Sequence, residues 1–236
     1  PSVNSRTQTK NQKAETTPNV SKSAIEKAKQ ELRKQEEKRF KDAEQKIKEA
    51  IEKNPELKDL AKNLLIDMTP EGLRIQVVDS EGRPMFASGN AEMYDYTKKQ
   101  MDAVAKVIQA LPNEISIRGH TDSVPYGKDA KYTNWELSTD RANSSRRTLL
   151  EAGLPPARIN NVVGKADSDH LVPEDPTNAK NRRISIILLK EELTNPEYLK
   201  KAAEEAEKSG FDSGSEEPPG VPVGTFRKTP GKVEFP

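Results

Sequence analysis

The sequence predicts an α+β fold: a mixed β-sheet with helices packed on one face, preceded by a long charged helix. Three observations carry that prediction. Alternating apolar residues at Leu73, Ile75 and Val77, at Ile115 and Ile117, and at Ile184, Ile186 and Leu188 read as half-buried strands. Between them, 94–111 and 134–150 carry apolar residues three and four apart, the mark of amphipathic helices. Upstream, 23–53 is dense in charge, with one narrow apolar stripe.

Residues 1–22 are polar and poor in aliphatic side chains, a composition that predicts disorder. A charged helical linker is expected over 23–65. Its stripe consists of Ile25, Ala28, Leu32, Phe40, Ala43, Ile47 and Ile51. Glu37–Lys41, Asp42–Lys46, Glu44–Lys48 and Glu49–Lys53 are spaced for weak i,i+4 pairing. Asn54-Pro55 breaks the helix, and the pattern resumes over 56–65 with Leu57, Leu60, Leu64 and Leu65. Two readings stay open: a solvated spacer, or a coiled-coil seam that Glu36 interrupts. So thin a stripe also predicts a helix that is cheap to release.

The globular part is expected over 66–190. It opens with a hairpin, 66–69 and 73–78, about the turn Pro70-Glu71-Gly72. The turn-rich 79–84 leads to the helix at 94–111, where Lys98 alone breaks the apolar side. The strand from Ile115 runs into His120-Thr121-Asp122. Thr133 with Glu136 fits a capping box for the next helix, with Ser138 as a second candidate cap. Asn181-Arg182-Arg183 precedes the last strand. A C-terminal helical segment is expected over 191–208, capped by Asn195 with Pro196 in its first position. The Gly-, Pro- and Ser-rich 209–236 predicts a flexible tail.

Composition narrows the function. Of 236 residues, 32% are hydrophobic and 33% charged, too lean for one compact body of that length. A net charge of +1 with interleaved signs argues against a nucleic-acid partner. No run approaches the roughly 20 apolar residues of a membrane span. The first residue is Pro1, which reads as a processed chain or fragment with its beginning upstream. Without cysteine there is no thiolate or disulfide chemistry. His120 and His170 are the only histidines, and no H-E-x-x-H, G-x-S-x-G or glycine-rich phosphate loop occurs. The expectation is therefore a protein that is not an enzyme and needs neither cofactor nor metal.

Three polar clusters sit at element ends, where a fold can gather them. A ligand with a carboxylate and an ammonium on one carbon needs an anion and a cation a few ångströms apart. Asp122 can accept from the ammonium, and Arg141 can fork onto the carboxylate. Each also has a structural reading, Asp122 as a loop cap and Arg141 as a surface or ion-paired arginine. Arg182 and Arg183 alternate along a strand, so at most one should face a shared cleft. Trp135 fits a packing anchor or a sugar-stacking platform equally well.

Taken in order, I-S-I-R-G-H-T-D, N-W-E-L-S-T-D-R-A and N-R-R-I-S-I-I resemble the OmpA-like peptidoglycan-binding domain family, over roughly 86–189. F-A-S-G-N-A-E-M, H-T-D-S-V-P and A-D-S-D-H-L-V-P-E-D-P are similar more narrowly to the periplasmic region of the MotB family of flagellar motor stator proteins. The resemblance implies a non-catalytic, periplasmic cell-wall anchor gripping the diaminopimelate of the stem peptide. Asp122 and Arg141 would be the principal contacts, Thr121, Asn134 and Leu137 would line the pocket, and Asn181 and Arg182 would lie at its edge. It further implies a homodimer, a MotA-like membrane partner and an upstream transmembrane helix. An OmpA-type or lipoprotein tether of the outer membrane is the alternative.

Overall fold

The computed structural model describes residues 21–53, 55 and 61–209. The expectations for 1–20, most of 54–60 and the tail from 210 lie outside the described residues. The elements are α1 (Lys22–Glu52), β1 (Leu64–Thr69), β2 (Gly72–Val78), α2 (Asp95–Ile108), β3 (Ile115–His120), α3 (Asn134–Glu151), β4 (Ile159–Gly164), β5 (Arg183–Leu189), α4 (Glu191–Thr194) and α5 (Tyr198–Lys208). Two compact units result, Gln30–Leu199 and a smaller one whose described residues are 21–29 and 200–209. In the smaller unit Ala24, Ala28 and Ala206 bury one another.

The larger unit is built on one five-stranded sheet in the order β1-β2-β5-β3-β4. β3 and β4 run parallel and the other neighbours antiparallel, so the sheet is mixed as expected. Register places Ile75 opposite Ile186 and Ile186 opposite Ile117, so these side chains share one face. That face, with Leu73, Val77, Ile115, Ile184 and Leu188, packs against Met101, Val104, Ala105 and Ile108 of α2 and Ala142 and Leu149 of α3. The opposite face carries Arg74, Gln76, Ser116, Arg118, Arg183 and Ser185, which pair among themselves, with Asp67 of β1 and with Glu71 in the turn after it.

Several sequence expectations need correction. Leu64 and Leu65 belong to β1 rather than to a resumed helix. Their helical spacing is overridden by backbone pairing with Val77 and Gln76. β4, I-N-N-V-V-G, was not anticipated: two adjacent asparagines break the apolar alternation of this edge strand. The C-terminal segment is two helices, with Asn195 ending α4 and α5 starting at Tyr198. Asn195 still caps a turn, its Oδ1 accepting from Glu197 N at 2.9 Å.

The stripe on α1 is neither left in water nor, within the described residues, a coiled-coil seam. Phe40, Ala43, Ile47 and Ile51 join the core of the sheet unit. Glu36, the apparent flaw in the stripe, is 4% exposed and accepts from Asn113 Nδ2 at 2.7 Å and Glu191 N at 2.9 Å. It thus caps the open N-terminus of α4 while tying α1 to the sheet unit. Burial raises its pKa, partly offset by those two donors.

Candidate functional site

Two glycines set the geometry at the strand ends. A Cβ on Gly119 would lie 2.0 Å from the Ser138 carbonyl oxygen, and one on Gly164 would lie 2.1 Å from Thr139 Oγ1. With no Cβ at either place, the first turns of α3 sit directly on the ends of β3 and β4. The helix start is fixed by the predicted capping box: Thr133 Oγ1 accepts from Trp135 N, and Glu136 Oε2 accepts from Thr133 N at 2.8 Å. Ser138 is not a cap. It lies inside α3, donates to Trp135 O and accepts from Ala166 N at 3.0 Å, tying the helix to the loop after β4.

Beside this junction lies a cleft of about 580 Å³, walled by the loop between β2 and α2 on one side and by Val124, Pro125 and Tyr126 on the other. Thr121, Asp122, Asn134, Leu137, Arg141 and Arg182, six of the seven sequence-derived candidates, line it. Asn181 is absent from the lining. It is fully buried, accepts from Val172 N at 2.8 Å and donates to Asp175 O at 2.9 Å, holding the loop before β5. The alternation argument holds for its neighbours. Arg182 lines the cleft, while Arg183 donates to Gln76 and Asp169.

The charges are arranged as a chain and a separate cation. Arg182 donates through Nε to Asp79 Oδ2 at 2.7 Å and through an Nη to Asp122 Oδ2 at 2.6 Å. Desolvation opposes its charge, but hydrogen bonds to the two carboxylates outweigh it and raise its pKa. Arg141 is 6% exposed, donates to Asn90 O at 2.9 Å and Ala87 O at 3.4 Å, and lies 5.1 Å from the Phe86 ring centroid. Desolvation lowers its pKa from the ordinary arginine value, yet a guanidinium stays charged at neutral pH. Arg141 is therefore not the ion-pair partner of Asp122; Arg182 is.

Asn134 Nδ2 donates to the carbonyls of Asp122 and Val124 at 3.2 and 3.3 Å, joining the helix start to the aspartate loop. Thr121 Oγ1 is buried without a hydrogen bond among the described residues. Sequence reasoning missed Asp79, Phe86, Tyr94 and Tyr126, which also line the cleft. Asp79 closes strand β2 much as Asp122 follows β3, a signal that was available. Trp135 is 57% exposed, so it is not a packing anchor.

These features define a class. Residues 85–183 match the OmpA family. Within that class it is a homologue of motility protein B. It is 47% identical to motility protein B of Escherichia coli K12 over 139 residues, 58% of this chain and 45% of that protein. It is 31% identical to motility protein B of Bacillus subtilis over 145 residues, 58% of this chain and 53% of that protein. The chain thus spans about half the length of these relatives. In fold it is similar to a MotB-like protein from Desulfovibrio vulgaris, with TM-score 0.56 and 22% identity over 67% of this chain and 99% of that one. It is also similar to the periplasmic domain of Helicobacter pylori MotB, with TM-score 0.50 and 20% identity over 63% and 90%. Among the described residues no helix is long and apolar enough to cross a membrane.

Proposed function

We propose that this chain is the periplasmic, non-catalytic wall anchor of a flagellar motor stator, and that its cleft grips the diaminopimelate of the peptidoglycan stem peptide. One observation carries the reading. Asp79, Arg182 and Asp122 form a linked group of net charge −1, and buried Arg141 supplies a separate positive charge in the same cleft. Such a cleft is dipolar, and its natural complement is an amino-acid head with ammonium and carboxylate on one carbon. The Asp122 carboxylate, which already accepts from Arg182, also accepts from the ammonium. Arg141, whose Nη1 has no hydrogen bond among the described residues, receives the carboxylate. Asn134, Thr121 and Leu137 shape the wall between them.

Homology to motility protein B supports the stator assignment. A homodimer of this chain, joined through an upstream membrane segment to a MotA-like partner, would hold that partner to the wall. One head group engages few charge-assisted contacts, each worth about 1.5–3 kcal/mol. Firm anchoring then needs two domains on one wall, acting through effective concentration.

The test is cosedimentation of the folded chain with purified sacculi. Sedimentation that free diaminopimelate stem peptide competes away is expected. A folded, dimeric sample that stays in the supernatant would contradict the proposal.

A further inference from the structure

Asp79 and Arg182 meet because the sheet pairs them. Val78 lies opposite Arg183 in the ladder of β2 and β5, and one step on, Asp79 N donates to Arg182 O at 3.0 Å. Their side chains meet as well, Arg182 Nε donating to Asp79 Oδ2 at 2.7 Å. Asp79 is 4% exposed, and its other oxygen, Oδ1, accepts from Met85 N at 2.6 Å. Met85 leads directly into Phe86 and Ala87, whose ring and carbonyl hold Arg141. Asp79 is therefore joined to both halves of the cleft. It reaches Asp122 through Arg182, and Arg141 through the loop after β2.

The charge of Asp79 sets the balance at Asp122. Arg182 donates to both carboxylates at once, so one positive charge is divided between two negative ones and the group carries −1. Without the Asp79 charge, Arg182 and Asp122 would form a neutral pair. An ammonium arriving there would meet the same oxygens with no net charge behind them. Charges this deeply buried are screened weakly, so a ligand in the cleft feels the difference. Asp79 also acts on Arg141. Burial lowers the pKa of that arginine, and the charge of Asp79 opposes this more than the charge of Asp122 does.

We propose that Asp79 is the residue that makes the cleft select an ammonium beside the carboxylate, although it does not bind the ligand itself. This rests on the cleft reading above and assigns the selectivity for one half of the head. Both oxygens of Asp79 already accept from the protein, so it is a positioning residue. It draws part of the Arg182 charge away from Asp122 and leaves that carboxylate able to take a second cation.

The experiment measures two stem tetrapeptides by calorimetry on the full chain. One carries diaminopimelate; in the other the remote amino group is replaced by hydrogen, so only the carboxylate remains. The wild type should bind the first about tenfold or more tightly, the scale of one charge-assisted contact. Asp79→Asn should lose that preference and hold the carboxylate-only peptide at least as tightly as the wild type. Adding Arg182→Gln to it leaves Asp122 alone, again −1, and should restore the preference. Asp79→Ser, also neutral, repeats the test should the Asn variant fail to fold. Equal weakening of both peptides in a folded neutral variant would overturn the proposal, since Asp79 would then be purely structural. A preference that the neutral variants retain, or that the double variant fails to restore, would overturn it too. If the wild type bound neither peptide, or both equally, the cleft reading itself would fall.

Discussion

Arg141 has two tasks that a lysine cannot share. Its Nε and one Nη hold the carbonyls of Asn90 and Ala87, and its plane lies over Phe86. Arg141→Lys should therefore weaken stem-peptide binding about tenfold or more, because a point charge loses the fork. Calorimetry alongside a thermal melt separates the two tasks, and wild-type affinity in a folded Lys variant would contradict the assignment. His120 offers a pH prediction. Burial, then the positive charges of Arg183, Lys165, Arg118 and Arg74, lower its pKa to about 3. An unfolded histidine titrates near 6.5, so the native state binds fewer protons below that pH. Its contribution to stability is complete above about pH 6.5 and is lost as pH falls toward 3, about 2 kcal/mol by pH 5. Urea unfolding at pH 5 and 7.5 should show this loss in the wild type and its absence in His120→Gln, relative to the changes common to both. At this scale the sequence was informative where a residue sits in a motif, as with Asp122 and Arg141. The place of Asp79 at a strand end was legible, but its pairing with Arg182, 103 positions away, was not. Asn181 shares the motif of Arg182, but its amide turns into the loop, and no periodicity distinguishes the two.

Among the elements, α1 departs most from its sequence. An amphipathic stripe states that one side must be covered and leaves the cover unnamed. Here the cover is the sheet unit's own core, with Phe40, Ile47 and Ile51 almost fully buried. Of the four anticipated i,i+4 pairs, Glu44–Lys48 and Glu49–Lys53 form, at 2.6 and 3.1 Å. Exposed pairs of this kind contribute little, so the docking rests on apolar burial and on Glu36. Each of the three large side chains contributes about 1.5–3 kcal/mol when fully buried, so release of this part of α1 is not cheap. Amide exchange over 40–51 should accordingly be about as slow as in β3. Fast exchange there, with β3 protected, would restore the low-cost release that the thin stripe suggests. Phe40→Ala should cost about 3–5 kcal/mol in chemical denaturation, the range for emptying a buried aromatic site. β2, β3 and β5 were legible because burial on one face imposes a two-residue period. β4 was not, since an edge strand with Asn160 and Asn161 exposed needs few apolar residues.

For the molecule as a whole, the sheet order brings the ends of β2 and β3 and the start of β5 to one cleft, under the first turns of α3. Four segments distant in sequence thereby place two carboxylates and two guanidiniums together. On the reading proposed above, this dipolar cleft recognises an amino-acid head. The most direct measurement is the affinity of the folded chain for two stem peptides that differ at one residue, diaminopimelate in one and lysine in the other. Lysine keeps the ammonium and lacks the carboxylate that Arg141 would hold. The diaminopimelate peptide should bind about tenfold or more tightly, and Arg141→Lys should remove most of the difference. Equal affinity of the wild type for the two peptides would contradict it.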